Sequence, residues 1–158
     1  MSGVAIYRTP IALEWIDYNG HVRDAYYGLI ASYAIDALMD QLGMDARYRE
    51  ESGGTLYTVE MHTHYLREIA ANDTVEVRVR ILGADTKRIH AALELVCDGS
   101  EKAAATCEVM LLHVCQKPAA RTAPFPEGVA AAIAELRRAT AAMPASGPGS
   151  RDMELNAR

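Results

Sequence analysis

Apolar residues recur along the chain with two different periods, and each period predicts one kind of element. From Ala25 to Gly43 the sequence runs for about five helical turns with no Pro, with Gly28 as its one internal glycine, and stops at a glycine typical of helix ends. Apolar side chains cover most of the circumference, while Ser32, Asp36 and Asp40 form a narrow polar stripe. The pattern predicts a long helix that is largely buried.

Other segments alternate apolar and polar residues, as half-buried strands do. In VEVRVRIL the apolar positions from Val75 to Ile81 share one face, and in RIHAALELVC those from Ile89 to Cys97 do the same. Further strands are predicted from Ala5 to Glu14, in TLYTVEMHTHYL, and from about Lys102 to Gln116. In TLYTVEMHTHYL one phase holds Tyr57, Val59, Met61 and Tyr65, and the other holds Glu60, His62 and His64. One helix therefore follows the first strand and precedes four others.

A helix that is apolar nearly all round cannot be covered by a flat sheet on one side. Either a twisted antiparallel sheet wraps it or a second subunit completes its burial. The order β-α-β-β-β-β predicts an α+β fold of the hotdog type, an antiparallel sheet around a central helix, with a free edge strand that invites pairing across a dimer. EGVAAAIAELRRATAAM adds an amphipathic C-terminal helix. We expect one domain over residues 1–143 and a flexible tail over 144–158.

Composition narrows the possible partners. The 158 residues are 50% hydrophobic and 23% charged, which suits one domain, and a net charge of −5 without a basic cluster argues against nucleic acid. The chain shows no signal peptide and no apolar stretch of the ~18 residues that span a membrane, so a cytoplasmic location is predicted. Cys97, Cys107 and Cys115 lack CxxC spacing and are expected to be reduced core thiols.

The segment EWIDYNGHVRDAYYG, residues 14–28, concentrates polar chemistry just ahead of the long helix. An Asn-Gly pair alone makes a turn, so Asp17 and His21 need a further explanation. A structural interpretation makes Asp17 the acceptor of an Asx turn and lets His21 bond to the backbone. Asp24 precedes the predicted helix and is expected to be its N-cap.

The Asp-x-x-Gly-His-Val pattern, placed between a first strand and a buried helix that opens with Tyr residues, resembles the active-site loop of hotdog-fold acyl-CoA thioesterases of the hydroxybenzoyl-CoA thioesterase-like branch. The resemblance covers roughly residues 5–117. Together with GGTLYTVEMHTHYLRE, the loop is similar to thioesterases of carnitine degradation, including those fused to carnitine dehydrogenase, whose implied substrate is betainyl-CoA. Many relatives read Gly-His-Val-Asn-Asn where this chain has Arg23 and Asp24 after Val22.

The resemblance implies roles for the loop and the start of the helix. The Asp17 carboxylate either attacks the thioester to form an anhydride or acts as general base on water. Backbone N–H groups of Ala25 and Tyr26 are expected to lack intrahelical partners and to hold the thioester oxygen. Asn19 and His21 would orient water, the acyl group or the loop. The implied partner is an acyl-CoA substrate, no cofactor is implied, and the expected assembly is a homodimer or a dimer of dimers.

A trimethylammonium acyl group would be recognised by aromatic faces and a carboxylate. Glu60 is the predicted counter-charge. The aromatic candidates flank the loop or lie on the following strand: Trp15, Tyr18, Tyr26, Tyr27, Tyr57 and Tyr65. Such tyrosines are also common as core or interface residues. The predicted cations for the CoA phosphates are Arg67, Lys87 and Arg88, with Arg121 as a further candidate.

Two alternatives remain open at this point. His62-x-His64-x-x-x-Glu68 matches the core of a cupin metal motif, although the flanking glycines are replaced by Leu56 and Val75. A hotdog domain can also serve as an acyl-binding module or a dehydratase. A dehydratase more naturally places its His on the central helix, and Ala25 to Gly43 contains none. Thioester hydrolysis is therefore the predicted activity.

Overall fold

The computed structural model describes residues 3–144, in which a curled antiparallel sheet packs against one long helix. The strands are β1 (Val4–Pro10), β2 (Gly54–Tyr65), β3 (Thr74–Ala84), β4 (Arg88–Cys97), β5 (Ala103–Cys115) and β6 (Arg121–Thr122). The helices are α1 (Asp24–Gln41), α2 (Ala46–Ser52) and α3 (Glu127–Thr140). The sheet order is β1-β3-β4-β5-β2, and β6 pairs with the end of β5. The predicted α+β hotdog fold is confirmed, whereas the tail predicted from residue 144 lies, from residue 145 on, outside the described residues.

The core lies between α1 and the concave face of the sheet. Ile30, Ala34 and Leu38 of α1 are fully buried, and the alternating apolar residues of β3 and β4 that were predicted to share one face are buried except Cys97, which is half-buried. The helix ends at Gln41, and Gly43 follows with a positive φ of 82°, so the predicted helix is confirmed to within two residues. Burial of this apolar surface is the main driving force for the fold.

Two predicted boundaries near the N-terminus are wrong. The first strand stops at Pro10 rather than Glu14, because after the last pair with Thr74 the chain leaves the sheet and forms a 3₁₀ turn over Leu13–Trp15. A proline has no N–H to continue a ladder. Asp24 is the first helical residue and Arg23 occupies the N-cap position, so Asp24 lies one residue deeper than predicted.

Helix α2 was not predicted, although its two end signals are present in the sequence. The Asp45 carboxylate accepts a hydrogen bond of 2.9 Å from the Tyr48 N–H at the start of the helix. Gly53, with φ of 69°, ends it in the left-handed region. A short capped helix of this kind has too few turns to show a helical period.

The edge strand β2 contains a β-bulge that changes its phase. Thr58 pairs with Leu111 and Glu60 with Met110, so Val59 is the extra residue. Before the bulge, Tyr57 pairs with Leu112 and faces outward. After the bulge, Tyr65 pairs with Ala105 and faces α1. The single phase predicted for Tyr57, Val59, Met61 and Tyr65 is therefore wrong, because the bulge inserts one residue into the alternation.

The three cysteines are unpaired, but they are not equally buried. Cys107 lies in the core, and Cys97 and Cys115 are half-buried, so the prediction of a core position holds for Cys107 alone. Burial raises the pKa of Cys97 to about 11, with the nearby Asp73 carboxylate adding to the effect, and burial also raises the pKa of Cys107. Both thiols therefore stay protonated and weakly nucleophilic at neutral pH. None of the helices in residues 3–144 is long and apolar enough to cross a membrane.

The predicted C-terminal helix is α3, and it packs on β3 through an apolar stripe of Val129, Ile133 and Leu136. At its end the fully buried Thr140 hydroxyl accepts a hydrogen bond of 3.2 Å from the Ile81 N–H and donates one of 3.0 Å to the Leu136 carbonyl. This hydroxyl ties the helix to the backbone of the sheet.

Replacing Thr140 by Val keeps the shape of the side chain but leaves the buried Ile81 N–H without an acceptor. We expect Thr140→Val to lower the free energy of unfolding by about 1–3 kcal/mol in urea denaturation. The same substitution at the exposed Thr122 should change it by less than about 0.5 kcal/mol. Equal effects at the two positions would show that the Thr140 hydroxyl does not secure α3.

Candidate active site

The loop from Asp17 to His21 is a tight hairpin at the foot of α1. The Asp17 N–H donates to the His21 carbonyl at 2.9 Å, and the Gly20 N–H donates to the Asp17 carbonyl at 3.0 Å. Gly20 has φ of 84°, a conformation that favours glycine at this position. The Arg23 N–H donates to the Trp15 carbonyl at 2.9 Å and closes the base of the hairpin. The loop is thus held by the backbone, and Asp17 is fixed beside it.

The Asp17 carboxylate accepts three hydrogen bonds from its own loop. Oδ1 accepts from the Asn19 N–H at 2.8 Å and from the His21 N–H at 3.5 Å, and Oδ2 accepts from Asn19 Nδ2 at 3.4 Å. The bond from the Asn19 backbone N–H is the main reason that the pKa of Asp17 lies below its usual value of 3.8. The Asx turn and a reactive carboxylate are therefore compatible, because the turn keeps Asp17 ionised.

The chain that follows β2 supports this loop from the other side. The Val22 N–H donates to the Ile69 carbonyl at 2.8 Å, and His21 pairs with Ala70 in an isolated β-bridge. His21 Nε2 lies 3.2 Å from the Glu68 carboxylate. The sequence pattern identified Glu68 only as a metal-ligand candidate and missed its place beside the loop. A residue 47 positions away in the chain leaves no local signal for such a contact.

The metal-binding alternative does not fit this geometry. Glu68 contacts His21, while His62 Nε2 bonds at 3.0 Å to Glu60 on the outer face of the sheet. Within residues 3–144, no cluster of three or more His, Cys, Asp or Glu side chains is arranged to hold a metal ion. His62 and His64 share one face of β2 by strand alternation, whereas Glu68 follows the strand and its carboxylate lies beside His21.

The first N–H groups of α1 already have partners, contrary to the prediction that they are free. The Ala25 N–H donates to Asp24 Oδ1 at 2.9 Å, and the Tyr26 N–H donates to the Arg23 carbonyl at 3.0 Å. The cause is local, since the Asp24 side chain folds back over the first turn and that turn tightens. Any oxygen bound there must displace one of these acceptors.

Four of the predicted aromatic residues gather around the start of α1. Trp15 stacks on Tyr26, with ring centroids 5.8 Å apart and planes 19° apart. Tyr27 is buried and meets Tyr65 edge to face at 5.1 Å. Burial raises the pKa of both Tyr27 and Tyr65. These two pairs form an aromatic wall beside the loop.

The other two aromatic candidates lie elsewhere. Tyr18 projects from the loop with 91% of its surface exposed. Tyr57 lies on the outer face of β2, far along the strand from the loop, and its hydroxyl accepts a hydrogen bond of 3.1 Å from Gln116. Within one chain, the structure does not bring Tyr18 and Tyr57 together with the aromatic wall.

The predicted CoA-binding cations divide between the two ends of the sheet. Arg67 follows β2 beside the site, and its carbonyl accepts from the Tyr27 hydroxyl at 3.4 Å. Lys87 and Arg88 lie at the opposite end, because Arg88 pairs with Leu112 while Tyr65 pairs with Ala105, a separation of about 23 Å along β5. Arg88 is also ion-paired with Asp85 at 2.6 Å. Arg121 donates to the Lys117 carbonyl at 3.0 Å. Only Arg67 of this set lies close to the loop in the same chain.

Two grooves of the described chain lie away from the loop. One, of about 430 Å³, lies between α3 and the β3–β4 turn and is lined by Phe125, Ile133 and Arg137 among others. The second, of about 360 Å³, lies between Leu42 and Leu136. Neither includes a residue from 14 to 28.

A match to a protein family agrees with this arrangement of fold and loop. The model of the thioesterase-like superfamily matches residues 11–133, which include the Asp17 loop, α1 and the long strands β2 to β5. The chain belongs to this superfamily and is a thioester hydrolase of the hotdog fold.

Individual relatives refine the comparison. The chain is 46% identical over 138 residues to the betainyl-CoA thioesterase of Pseudomonas aeruginosa, covering 87% of this chain and 86% of that one. A crystal structure of a candidate thioesterase from Pseudomonas putida KT2440 superimposes with a TM-score of 0.84 at 40% identity, over 99% of both chains. A hypothetical protein of Staphylococcus aureus, solved in complex with CoA, gives a TM-score of 0.79 at 30% identity, over 98% of this chain and 92% of that one.

The hydrogen bonds to Asp17 predict its titration behaviour. We expect a ¹³C NMR titration of the folded protein to give an Asp17 midpoint below 3.8, and the urea-unfolded protein to give the ordinary value of about 3.9. Because the folded-state pKa is the lower one, ionised Asp17 stabilises the fold above its unfolded-state pKa. That contribution is lost as the pH falls through the folded-state pKa. A folded-state midpoint above the unfolded one would contradict the loop geometry.

Proposed function

We propose that the protein hydrolyses betainyl-CoA to betaine and CoA, a step in carnitine breakdown. The observation that carries the proposal is the ionised Asp17 carboxylate held at the foot of α1, next to an aromatic wall suited to a quaternary ammonium. The relative from Pseudomonas aeruginosa, named as a betainyl-CoA thioesterase, supports the substrate, and the CoA complex of the Staphylococcus aureus protein supports the leaving group. Three unpaired cysteines are consistent with the cytoplasm.

In the proposed reaction the Asp17 carboxylate attacks the thioester carbonyl. The attacking atom is Oδ2, because it accepts a single hydrogen bond of 3.4 Å. Oδ1 accepts two hydrogen bonds, one of them at 2.8 Å. The C–S bond of the tetrahedral intermediate breaks, the CoA thiolate leaves, and a mixed anhydride remains on Asp17. Water then adds to the anhydride, which releases the carboxylic acid and restores the carboxylate. Of the two protons of water, one goes to the thiolate and one is released by the acid product.

Asp17 is ionised at neutral pH, and its pKa is lowered mainly by the hydrogen bond from the Asn19 N–H. General-base activation of water by the same carboxylate is the alternative route. Asn19 holds the carboxylate in place from both oxygens, and His21 clamps the loop. We assign both residues to positioning.

The Tyr26 N–H is the proposed donor to the oxygen that becomes negative. Its partner in the structure is a neutral carbonyl, that of Arg23, whereas the Ala25 N–H is bonded to a carboxylate. A hydrogen bond to a charged acceptor is the stronger one, so the Tyr26 N–H exchanges its partner at lower cost when substrate binds. Its place at the first turn of α1 adds the favourable field of the helix N-terminus.

A homodimer formed through β2 is part of the proposal. This strand ends the sheet and carries exposed apolar side chains, Tyr57 and Val59, on or next to its outer face. Antiparallel pairing of two β2 edges about a twofold axis places the start of one strand beside the end of the other. In each subunit, the end of the sheet that carries Tyr57, Lys87 and Arg88 then approaches the Asp17 loop of the partner subunit. The dimer thus supplies the cations that lie too far from the loop within a single chain. Two such dimers can associate into a dimer of dimers.

Asp17→Asn should abolish most hydrolysis while leaving the fold intact. Assayed by thiol release on betainyl-CoA, benzoyl-CoA and butyryl-CoA, the wild-type protein is expected to prefer betainyl-CoA, and the variant to lose at least about 100-fold in kcat. Asp36→Asn, which removes an exposed charge from the middle of α1, serves as the matched control and should retain activity. Wild-type turnover by Asp17→Asn would remove this carboxylate from the mechanism.

The oligomer is tested by sedimentation velocity at micromolar concentration, where we expect a dimer or a larger species. Val59→Lys adds a charge to the β2 edge and should shift the distribution toward monomer, with a parallel loss of activity. Glu127→Lys, on α3, should do neither. A fully active monomer would exclude a site shared between subunits.

A further inference from the structure

The structure assigns the counter-charge for a cationic acyl group to Asp24. We infer that the Asp24 carboxylate and the ring of Tyr65 together bind the quaternary ammonium and so select a cationic substrate. The inference rests on the proposed function and names the residues that determine its specificity. It also replaces Glu60, which the sequence pattern had put forward for this role.

Glu60 lies on the wrong side of the sheet to meet the aromatic wall. It pairs with Met110 on the outer face and bonds to His62 at 3.0 Å. Tyr65 pairs with Ala105, whose side chain is fully buried on the face toward α1. Glu60 and Tyr65 are five residues apart with no bulge between them, so strand alternation puts them on opposite faces and separates the Glu60 carboxylate from the Tyr65 ring by the thickness of the sheet. In one chain, an ammonium group on that ring cannot reach Glu60.

Asp24, by contrast, contacts Tyr65 through its main-chain carbonyl, and its carboxylate lies close enough to add to the effect of burial in raising the pKa of Tyr65. The Tyr65 hydroxyl donates to the Asp24 carbonyl at 3.4 Å, and the edge-to-face contact with Tyr27 fixes the ring. Tyr65 keeps 56% of its surface exposed, so one part of its ring is open to a ligand. Asp24 forms none of the ion pairs found in residues 3–144, which leaves its charge uncompensated by a side-chain cation. An aromatic face and a carboxylate at one place are the groups that recognise a trimethylammonium ion.

Helix electrostatics make this carboxylate necessary. The N-terminus of α1 carries about half a positive charge, which attracts a developing oxyanion but repels an ammonium group. In betainyl-CoA the nitrogen is two bonds from the carbonyl carbon, so an enzyme that binds the carbonyl oxygen at this helix start also brings the cation there. The Asp24 carboxylate, in the first turn, offsets the repulsion.

The same carboxylate weakens the site toward neutral substrates. It occupies the Ala25 N–H at 2.9 Å and places a negative charge near the developing oxyanion. Betainyl-CoA compensates, because its own ammonium stabilises the adjacent negative oxygen in the transition state. A neutral acyl group of the same shape has no such charge. Asp24 therefore discriminates by penalising neutral substrates as well as by attracting cationic ones.

Asp24→Asn tests the inference, because it removes the charge and keeps the shape and an acceptor for Ala25. The ligands are two non-hydrolysable CoA thioethers, S-(2-trimethylammonioethyl)-CoA and S-(3,3-dimethylbutyl)-CoA, which differ only in N⁺ against C. By calorimetry the wild-type protein should bind the cationic thioether more tightly, and Asp24→Asn should lose at least about tenfold of that preference. Tyr65→Leu should lose part of it, and Asp36→Asn should retain all of it.

Three results would overturn the inference. They are equal binding of both thioethers by the wild-type protein, an unchanged preference in Asp24→Asn, or a preference lost in Glu60→Gln alone. The last would return the role to Glu60, reaching the site from a partner subunit. Because the thioethers are not hydrolysed, this outcome is independent of turnover. Failure of the wild-type protein to hydrolyse betainyl-CoA would instead contradict the proposed function.

Discussion

Burial of α1 is the constraint on which the rest of the structure depends. Its seven buried residues recur every three to four positions and form one broad apolar face, which the curled sheet covers, and its first turn lies beside the end of β2. That geometry places the Asp17 loop, the first N–H groups of α1 and the end of β2 at one point. The chemistry of the site is therefore a consequence of how a very apolar helix is covered.

The position of Asp17 depends on the backbone more than on side chains. The pKa of its carboxylate is lowered because the Asn19 and His21 N–H groups point at it, and those groups are aligned by the Asp17–His21 hairpin. The hairpin in turn is held by Trp15 at its base and Ile69 at its side, through main-chain bonds that survive most side-chain substitutions. A rigid turn of this kind fixes a carboxylate without the entropy cost of ordering a long side chain.

The sequence correctly predicts the helices and strands whose apolar residues repeat regularly, but it does not predict the change of face where one extra residue interrupts the repeat. Val75 to Ile81 and Ile89 to Leu95 alternate without interruption, so β3 and β4, like α1, follow from the pattern. Val59 is a bulge that continues an apparent alternation, and no local signal separates it from a regular strand residue. The hydrogen-bond acceptors of the Ala25 and Tyr26 N–H groups depend on how the Asp24 side chain and the first turn of α1 are oriented. Glu68 contacts His21 only because the tertiary fold brings them together. Asp17 stands out in the sequence as a candidate because the polar residues around it lie in one short segment.

The bulge at Val59 therefore has consequences for the site as well as for the strand. Without it, Tyr57 and Tyr65 would share one face, as the sequence pattern implied. With it, the half of β2 beyond the bulge turns Tyr65 toward α1 and Glu60 toward the outer surface. Glu60 and Tyr65 lie on opposite faces by ordinary strand alternation, so a carboxylate near Tyr65 has to come from another element, and Asp24 lies there in the first turn of α1. Since a cation near a helix N-terminus is unfavourable unless compensated, a carboxylate in that turn is the least costly way for this fold to accept a positively charged acyl group.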